Sequence, residues 1–508
     1  MDAPRYGNAI RTGSFRVFGW LPIESFIILL ITFTLSFLIV LLRFYLLGLA
    51  FFVFSFILVT AFGLPFGDSD LTLAARVGRV FRHSRRRIRG ETTFVNTHMS
   101  SRESQALMGL PGMLHTVKTI DSMDGLGHPV QLLHHTSVGM ASVTFSGSPV
   151  GAMMQPQENT TRQVGSFAHW LGSLASEGGL LGASVTVDSI RESSVPMAES
   201  ILEGIDARSP QVAQQILREA VGALPARVAK VTSYVTLGWS LSELDDDIDG
   251  AVAEIVSRLP QHKSNLSASG AGQMHAMASA EYGDMMYTAY NPHRTGEVER
   301  ELHHDLDAVR PFESSGPEVM DASHKRVVLH DGVASMTVMM TTPDPSKITE
   351  KTYRRLFEPS HHFLRKRVTM FYRPIAAASQ RSKIDSSDRG VMTENSSQKR
   401  VTVFEAKKAR AVKHTMEQMS QGAVIHEWAL MVTVTFEPNR SAQRVAENEI
   451  KAMMGGMNWC FADYAADAAF HQTLPVGLFP WVYSSRPLLF KAQRVNEDSN
   501  GAITKGEQ

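Results

Sequence analysis

The chain has 508 residues, with Lys+Arg and Asp+Glu both totalling 50, so it is formally neutral at pH 7. This balance argues against a dedicated nucleic-acid coat, because affinity for phosphate requires local positive charge, and we expect no direct nucleic-acid site. The single cysteine, Cys460, excludes an intrachain disulfide framework and a cysteine-rich zinc site, which agrees with a reducing cytoplasm.

Two uncharged apolar runs lie near the N-terminus. They extend from Phe26 to Leu42 and from Phe44 to Leu64, and only Arg43 separates them. One membrane crossing takes about 20 apolar helical residues, and lipid requires the backbone groups to be satisfied internally. We therefore predict a two-helix transmembrane hairpin that turns near Arg43, within an N-terminal unit of residues 1–67.

Arginines surround this hairpin on the side of its two ends. Arg5, Arg11 and Arg16 precede it. The arginines that follow it, with no acid among them, are Arg76, Arg79, Arg82, Arg85, Arg86, Arg87 and Arg89. An excess of Lys and Arg at membrane ends marks the cytoplasmic side. Both termini and the large C-terminal part are therefore predicted to be cytoplasmic.

The arginine-rich stretch itself has the pattern of a helix that starts near Leu71. Apolar residues such as Val77 and Phe81 recur at near-helical spacing, and the arginines fill the other faces. This pattern indicates an amphipathic helix on anionic lipid, with the seven arginines contacting headgroups. The alternative is a charge cluster that only sets the topology. Residues 68–127 are assigned to this helix and a polar connector.

From residue 128 to residue 492, strand-like and helical segments alternate. The predicted strands are 130–135, 138–145, 183–190, 228–237, 265–269, 327–329, 333–340, 367–372, 429–436 and 459–461. The predicted helices are 160–176, 211–224, 245–259, 276–290, 349–357, 401–419, 442–454 and 465–473. The pattern predicts an α+β fold.

Local matches suggest that this region is duplicated. Gly139–Phe145 is similar to Gly332–Val338, and Tyr234–Leu237 is similar to Val432–Phe436. We predict two ferredoxin-like α/β-sandwich halves, residues 128–317 and 318–492. The second half carries an insertion loop at 376–399, and residues 493–508 form a polar tail.

Motifs of nucleotide, metal and hydrolase chemistry are absent from the sequence. No G-x-x-x-x-G-K-[ST], H-E-x-x-H or G-x-S-x-G occurs. Asp245–Gly250 matches the first half of a calcium loop, but Val256 stands where the bidentate Glu belongs. A solvated helix start is the competing interpretation. We predict no cofactor and no enzymatic activity.

Histidine and methionine pairs are the remaining candidates for metal binding. The histidine pairs are His134–His135, His303–His304 and His361–His362. Adjacent residues on a strand point to opposite faces, so one pair cannot chelate a metal from a strand. Met285–Met286, Met339–Met340 and Met453–Met454 are typical of core filling, and Cys460 is predicted to be an inert core thiol.

Several stretches of the sequence carry a family resemblance: Tyr6–Asn8, Ala168–Leu174, Gly182–Val187, Lys366–Pro374 and Phe470–Gly477. Together they resemble an actinobacterial family of integral membrane proteins from conjugation or type IV secretion-like gene clusters. The resemblance covers nearly the whole chain except the 376–399 loop and the tail. Members of that family look like the N-terminal, non-ATPase part of the type IV secretion motor ATPase, fused to a membrane hairpin.

The resemblance implies a non-enzymatic component of the bacterial plasma membrane that docks a separate P-loop ATPase onto a translocation channel. Its implied partners are that ATPase, other membrane subunits of the channel and anionic lipid, with a homo-oligomer possible. One alternative is the E component of the type VII secretion membrane complex, which also has two N-terminal spans and a cytosolic domain. An alternative of another class is a membrane-tethered metalloenzyme that uses the histidine pairs.

Overall fold

A computed structural model provides the structure of the protein. It describes residues 5–8, 16–17, 21–63, 73–96, 109–149, 155–191, 195–206, 208–222, 229–304, 309–342, 347–349, 353–375, 380, 424, 426–455 and 457–483. The predicted helix at 401–419, the loop at 376–399 except for Gln380, and the tail at 493–508 lie outside the described residues.

The helices begin with an N-terminal pair, and the others lie singly or in pairs between groups of strands. They are α1 (Ile23–Leu41), α2 (Tyr45–Gly63), α3 (Leu73–Ile88), α4 (Gln157–Ser173), α5 (Val195–Glu203), α6 (Gln211–Gly222), α7 (Ile248–Leu266), α8 (Ser279–Tyr290), α9 (Thr295–His304), α10 (Arg354–Phe357), α11 (Arg440–Met453) and α12 (Ala466–Gln472).

The strands begin ahead of the helical pair. They are β1 (Arg5–Asn8), β2 (Arg16–Val17), β3 (Leu21–Pro22), β4 (Thr93–Val95), β5 (Val117–Met123), β6 (Pro129–His135), β7 (Met140–Gly147), β8 (Leu180–Arg191), β9 (Ala229–Ser240), β10 (His275–Ala276), β11 (Val319–Asp321), β12 (Val327–His330), β13 (Val333–Thr342), β14 (Lys347–Thr349), β15 (Arg365–Pro374), β16 (His426–Phe436) and β17 (Asn458–Phe461).

Most of these strands form one large antiparallel sheet. Its 13 strands follow the order β4-β11-β12-β13-β16-β15-β8-β9-β7-β6-β5, with β10 beside β7 and β17 beside β13. The α+β class predicted from the sequence is therefore confirmed. The polar connector predicted within residues 68–127 supplies β4 at one edge and β5 at the other.

The sheet consists of two halves with the same strand order. The first runs β10-β7-β9-β8 and the second runs β17-β13-β16-β15. The similar segments 139–145 and 332–338 lie in β7 and β13, which hold the same place in the two halves. The halves meet where β8 pairs with β15, from Arg365 opposite Ile190 to Tyr372 opposite Ala183.

Alternation along the strands gives the sheet two different faces. On one face, side chains such as Val143 and Leu237 pack against α4 and α7, and Val338 and Val432 pack against α11. On the other face lie α8, α12 and the segment 473–483 that follows α12. Hydroxyl-bearing side chains on this second face hydrogen-bond to that segment, as described below.

One predicted strand is wrong. Residues 265–269 alternate in polarity, but they continue α7 into a helical turn at Ser267–Ala271, and the strand β10 begins only at His275. Of the predicted helix at 349–357, residue 349 ends the strand β14 and residues 354–357 form α10.

The N-terminal helices α1 and α2 form an antiparallel hairpin. Arg43 adopts a left-handed conformation (φ 69°) in the turn between them. The Ser36 hydroxyl donates to the Gly48 carbonyl oxygen at 2.6 Å, and the rings of Phe33 and Phe52 meet edge to face at 5.6 Å. Two helices with a turn at Arg43 are as predicted. Within the part of the chain whose side chains are described, no helix is long and apolar enough to cross a membrane.

Candidate functional site

Helix α3 is docked on the sheet body through one face. His83 is buried there, with its Nε2 3.1 Å from the Ser323 carbonyl oxygen and its ring 5.3 Å from that of Tyr464. The helix is therefore fixed in rotation about its own axis, because His83 must face the body.

Arg86 strengthens the same contact one turn further along α3. Its Nη2 lies 2.5 Å from Oδ2 of Asp467, in the first turn of α12. The hydrogen bond to Asp467 raises the pKa of Arg86. Burial alone would raise the pKa of Asp467, but the hydrogen bond and the charge of Arg86 outweigh it and lower that pKa. Arg86 is thus an internal partner, which the sequence did not distinguish from the other arginines.

Apolar side chains cover the opposite face of α3. Val77, Phe81 and Ile88 are 51%, 68% and 86% exposed. At about 100° per residue these three lie within roughly 40° of one another, and His83 and Arg86 centre roughly opposite them. We call Val77, Phe81 and Ile88 the α3 stripe. An exposed apolar face that is held away from the body is free to contact something else.

The other predicted arginines lie around the α3 stripe. Arg82, Arg85 and Arg89 lie on one flank and Arg87 on the other, all exposed, whereas Arg79 is half-buried toward the docked face. Arg82 donates its Nε to the Gly78 carbonyl oxygen at 3.2 Å. The side chain of Arg76 is outside the described residues. An apolar stripe with cationic flanks is the surface expected of a helix at an anionic lipid boundary.

In the part of the chain that the structure describes, the metal candidates do not come together. Among the described residues, no group of three or more His, Cys, Asp or Glu side chains could hold a metal ion. His362 contacts Glu449 at 3.6 Å, His361 is exposed, and the side chains of His303 and His304 are outside the described residues. The described pairs, His134–His135 and His361–His362, therefore form no metal site.

The residues of the incomplete calcium loop, Asp245–Gly250, form the start of helix α7. α7 begins at Ile248 with Asp247 at its N-cap, and the Asp245 carboxylate accepts from the Asp247 backbone N–H at 3.1 Å. This is the interpretation that the missing Glu favoured. Cys460 is half-buried on β17.

The sequence analysis missed a buried serine–histidine pair that recurs in the two halves. His135 Nε2 lies 2.9 Å from Ser142 Oγ, and His330 Nε2 lies 2.8 Å from Ser335 Oγ. Both histidines end one strand, and both serines lie on the next. The signal was available, because the two serines occupy the same place in the similar segments 139–145 and 332–338.

The hydrogen bonds around the first pair, His135 and Ser142, form a structural network. Tyr483 Oη is 2.6 Å from His135 Nδ1, and Ser142 Oγ donates to the Val476 carbonyl oxygen at 3.3 Å. His135 then donates from Nε2 to Ser142, the reverse of the direction in which a general base activates a serine. Burial lowers the pKa of His135 to about 3.

Hydroxyls on the same sheet face hold the segment after α12. Thr144 Oγ1 donates to the Pro475 carbonyl oxygen at 2.8 Å, and Thr369 Oγ1 donates to the Thr473 carbonyl oxygen at 3.2 Å. Neighbouring hydroxyls pair across strands, as Thr186 does with Thr369 at 3.0 Å. The segment after α12 is therefore anchored to strands of both halves.

Neither the protein-family models nor the curated proteins compared with this chain include a match.

Proposed function

We propose that the chain is a membrane-anchored, non-enzymatic component of a type IV secretion-like or conjugative apparatus, which docks a separate P-loop ATPase at a translocation channel. The observation that carries the proposal is the apolar α1–α2 hairpin, which leads through α3 into a large α+β body. The place of the protein in a secretion apparatus rests on the family resemblance of its sequence.

The hairpin suits a bilayer in its surface and its reach. Large apolar side chains such as Leu41, Leu46 and Phe54 are 67%, 85% and 66% exposed, which would be costly in water over so wide an area. Taken over their full backbone, α1 and α2 are 19 residues each, or about 28 Å at 1.5 Å per residue. A hydrocarbon core is about 30 Å thick.

We expect both ends of the hairpin to lie on the same side of the membrane as the body. β1, which precedes α1, pairs with β14 of the body, with Arg5 opposite Thr349. A chain that enters and leaves the membrane on one side agrees with the arginines at both ends of the hairpin. We propose the bacterial plasma membrane as the location, with both termini cytoplasmic.

The α3 stripe extends this attachment along the membrane surface. Because His83 and Arg86 fix the rotation of α3, the stripe and its flanking arginines all face away from the body. Exposed Phe81 and Ile88 would enter the headgroup boundary, and the arginines would pair with anionic lipid at about 1 kcal/mol each. Anionic lipid is thus the partner proposed for this surface.

The body would supply the docking platform. Its halves have the order expected of ferredoxin-like units, a fourth strand beside the first and a third strand between the first and second. We propose that the two are duplicated ferredoxin-like domains. The sequence contains no P-loop, so ATP hydrolysis would be the work of another polypeptide. Other channel subunits and further copies of this chain are its remaining proposed partners.

The partner proposal is tested by affinity purification of the tagged full chain from its native cell in mild detergent, followed by mass spectrometry. We expect a P-loop secretion ATPase with other channel subunits. An untagged strain is the control for nonspecific binding. Recovery of type VII core components, or of no secretion protein at all, would contradict the proposal.

The lipid surface is tested separately in nanodiscs that contain the full chain. Hydrogen exchange in α3 should be slower in anionic than in neutral bilayers, and Phe81→Ser with Ile88→Ser should abolish the difference. The matched control is Val212→Ser with Ile216→Ser on α6, whose side chains are 69% and 59% exposed. Equal behaviour of the two double variants would contradict a lipid role for α3.

A further inference from the structure

The seam between the halves carries an excess positive charge inside the protein. Arg365 and Arg367 lie two residues apart on β15 and so on one face, and Arg367 is directly opposite Asp188 on β8. Both arginines and Asp188 are buried. Two guanidinium groups thus share one carboxylate.

The Asp188 carboxylate accepts hydrogen bonds from Arg365 through both of its oxygens. Its Nε lies 3.0 Å from Oδ1 and 2.9 Å from Oδ2 of Asp188, and its Nη2 lies 2.5 Å from Oδ2. Its Nη1 donates to Thr288 Oγ1 at 3.2 Å. The pair is satisfied, and its charges cancel.

Arg367 has no hydrogen-bonded counter-charge among the described residues. It is 1% exposed, and neither Nη1 nor Nη2 has a hydrogen-bond acceptor in the described part of the chain. Its Cζ lies 4.7 Å from the centre of the Phe470 ring, which covers one face of the guanidinium. Arginine remains charged in proteins, and an unpaired buried charge costs several kcal/mol.

Two further unpaired polar atoms belong to residues that pack around Phe470, the ring that covers the guanidinium. Tyr290 Oη and His471 Nε2 are both buried without a partner in the described residues, and their rings are 6.1 Å apart. Both rings also pack on Phe470, at 5.5 and 5.6 Å. A phenol and an imidazole with its proton on Nε2 are hydrogen-bond donors, so both can donate to an anion.

We propose that Arg367, Tyr290 and His471 form a buried site for a small monovalent anion of the halide class. The anion would accept from the free guanidinium nitrogens, with Tyr290 Oη and His471 Nε2 as further donors. It would cancel the excess charge where β15 meets the α12 segment. This inference is independent of the membrane and secretion proposals.

The test is thermal unfolding of the detergent-purified full chain in chloride or bromide against gluconate, at constant ionic strength. A ligand that binds only the folded state stabilises it increasingly with concentration. We expect Tm to rise with halide concentration, and at 100 times the dissociation constant the folding equilibrium should shift about 100-fold. Equal Tm in halide and gluconate, as water in the site would give, would overturn the proposal without any variant.

Variants locate the effect. Arg367→Met should lose the halide dependence, and Arg367→Lys should keep it in weaker form because the charge remains. The matched control is Arg373→Met, which removes an arginine at an exposed position of the same strand and should respond as the wild type does. A halide dependence that survives Arg367→Met unchanged would show a general surface effect and refute the site.

Discussion

The buried pair of Asp188 and Arg365 makes the strongest prediction about stability, because it joins the two halves at their only shared strand pair in the described sheet. Asp188→Asn keeps the size of the side chain and removes its charge. Arg365 and Arg367 would then lie buried beside each other with no carboxylate. The change therefore affects the seam without creating a cavity.

The expected cost follows from the burial of the pair. The side chains of Arg365 and Asp188 are 5% and 4% exposed, so solvent cannot replace the lost charge. Removing one partner of such a pair costs about 3–5 kcal/mol. By contrast, replacing a whole buried ionic group with apolar residues is often neutral or stabilising. Asp188→Leu with Arg365→Met and Arg367→Met should therefore recover most of the loss.

Urea unfolding of the detergent-solubilised full chain measures these values. Trp170 and Trp239 are fully buried in the first half and report its unfolding by fluorescence. The control is Glu427→Gln, which breaks an exposed 3.4 Å contact to Arg373 at the other end of β15 and should cost less than about 1 kcal/mol. The reasoning is refuted if Asp188→Asn costs no more than Glu427→Gln, or if the triple variant is as unstable as Asp188→Asn.

Further predictions concern α3, the hairpin and the buried histidines. Arg86→Gln removes the contact to Asp467 and should weaken docking by about 1 kcal/mol, seen as roughly fivefold faster amide exchange in α3. Gly48→Leu overfills the contact between α1 and α2 and should destabilise the hairpin by about 1–3 kcal/mol, measured as helix loss on titration with dodecyl sulfate. Burial lowers the pKa of His135 and of His330 to about 3. The unfolded imidazoles titrate near 6.5 and bind more protons as pH falls below that value, so stability should drop by about 1.4 kcal/mol for each at pH 5.5, measured by urea unfolding at pH 7.5 and 5.5.

Matched positions provide the controls. Arg89→Gln alters an arginine that is 54% exposed and should leave exchange in α3 unchanged. Gly78→Leu adds a side chain where nothing lies within 4 Å, and His361→Gln changes an exposed imidazole. The account is contradicted if Arg86→Gln and Arg89→Gln change amide exchange in α3 equally, or if the two glycine variants lose helix at the same dodecyl sulfate concentration. It is also contradicted if the free energy of unfolding is equal at pH 7.5 and 5.5.

Elements with a strong local period were predictable. β7, β9, β13 and β16 alternate or repeat apolar residues because one face packs on helices, and the two apolar runs define α1 and α2. The strand predicted at 265–269 failed because a short alternation at the end of α7 cannot be distinguished locally from a helical turn. β4 and β11 were missed because strands of three residues carry too little pattern.

The sites were less predictable than the fold. The amphipathic pattern of α3 was visible, but the separate role of Arg86 depends on Asp467, which lies hundreds of residues away in the chain. The burial of Arg367 was hidden for the same reason, since an Arg-rich strand suggests an exposed edge until its neighbours are known. Charge alone cannot show which arginines are covered by the fold.

The central proposal is that the hairpin crosses a membrane and that the body lies on the same side of it as both termini. The most direct measurement is labelling of single cysteines by a membrane-impermeant maleimide in intact cells, in a Cys460→Ser background. Arg43→Cys, at the turn, should react from outside, and Arg373→Cys, on the body, should react only after the membrane is opened. Reaction of both from outside, or of neither until the membrane is opened, would contradict the account.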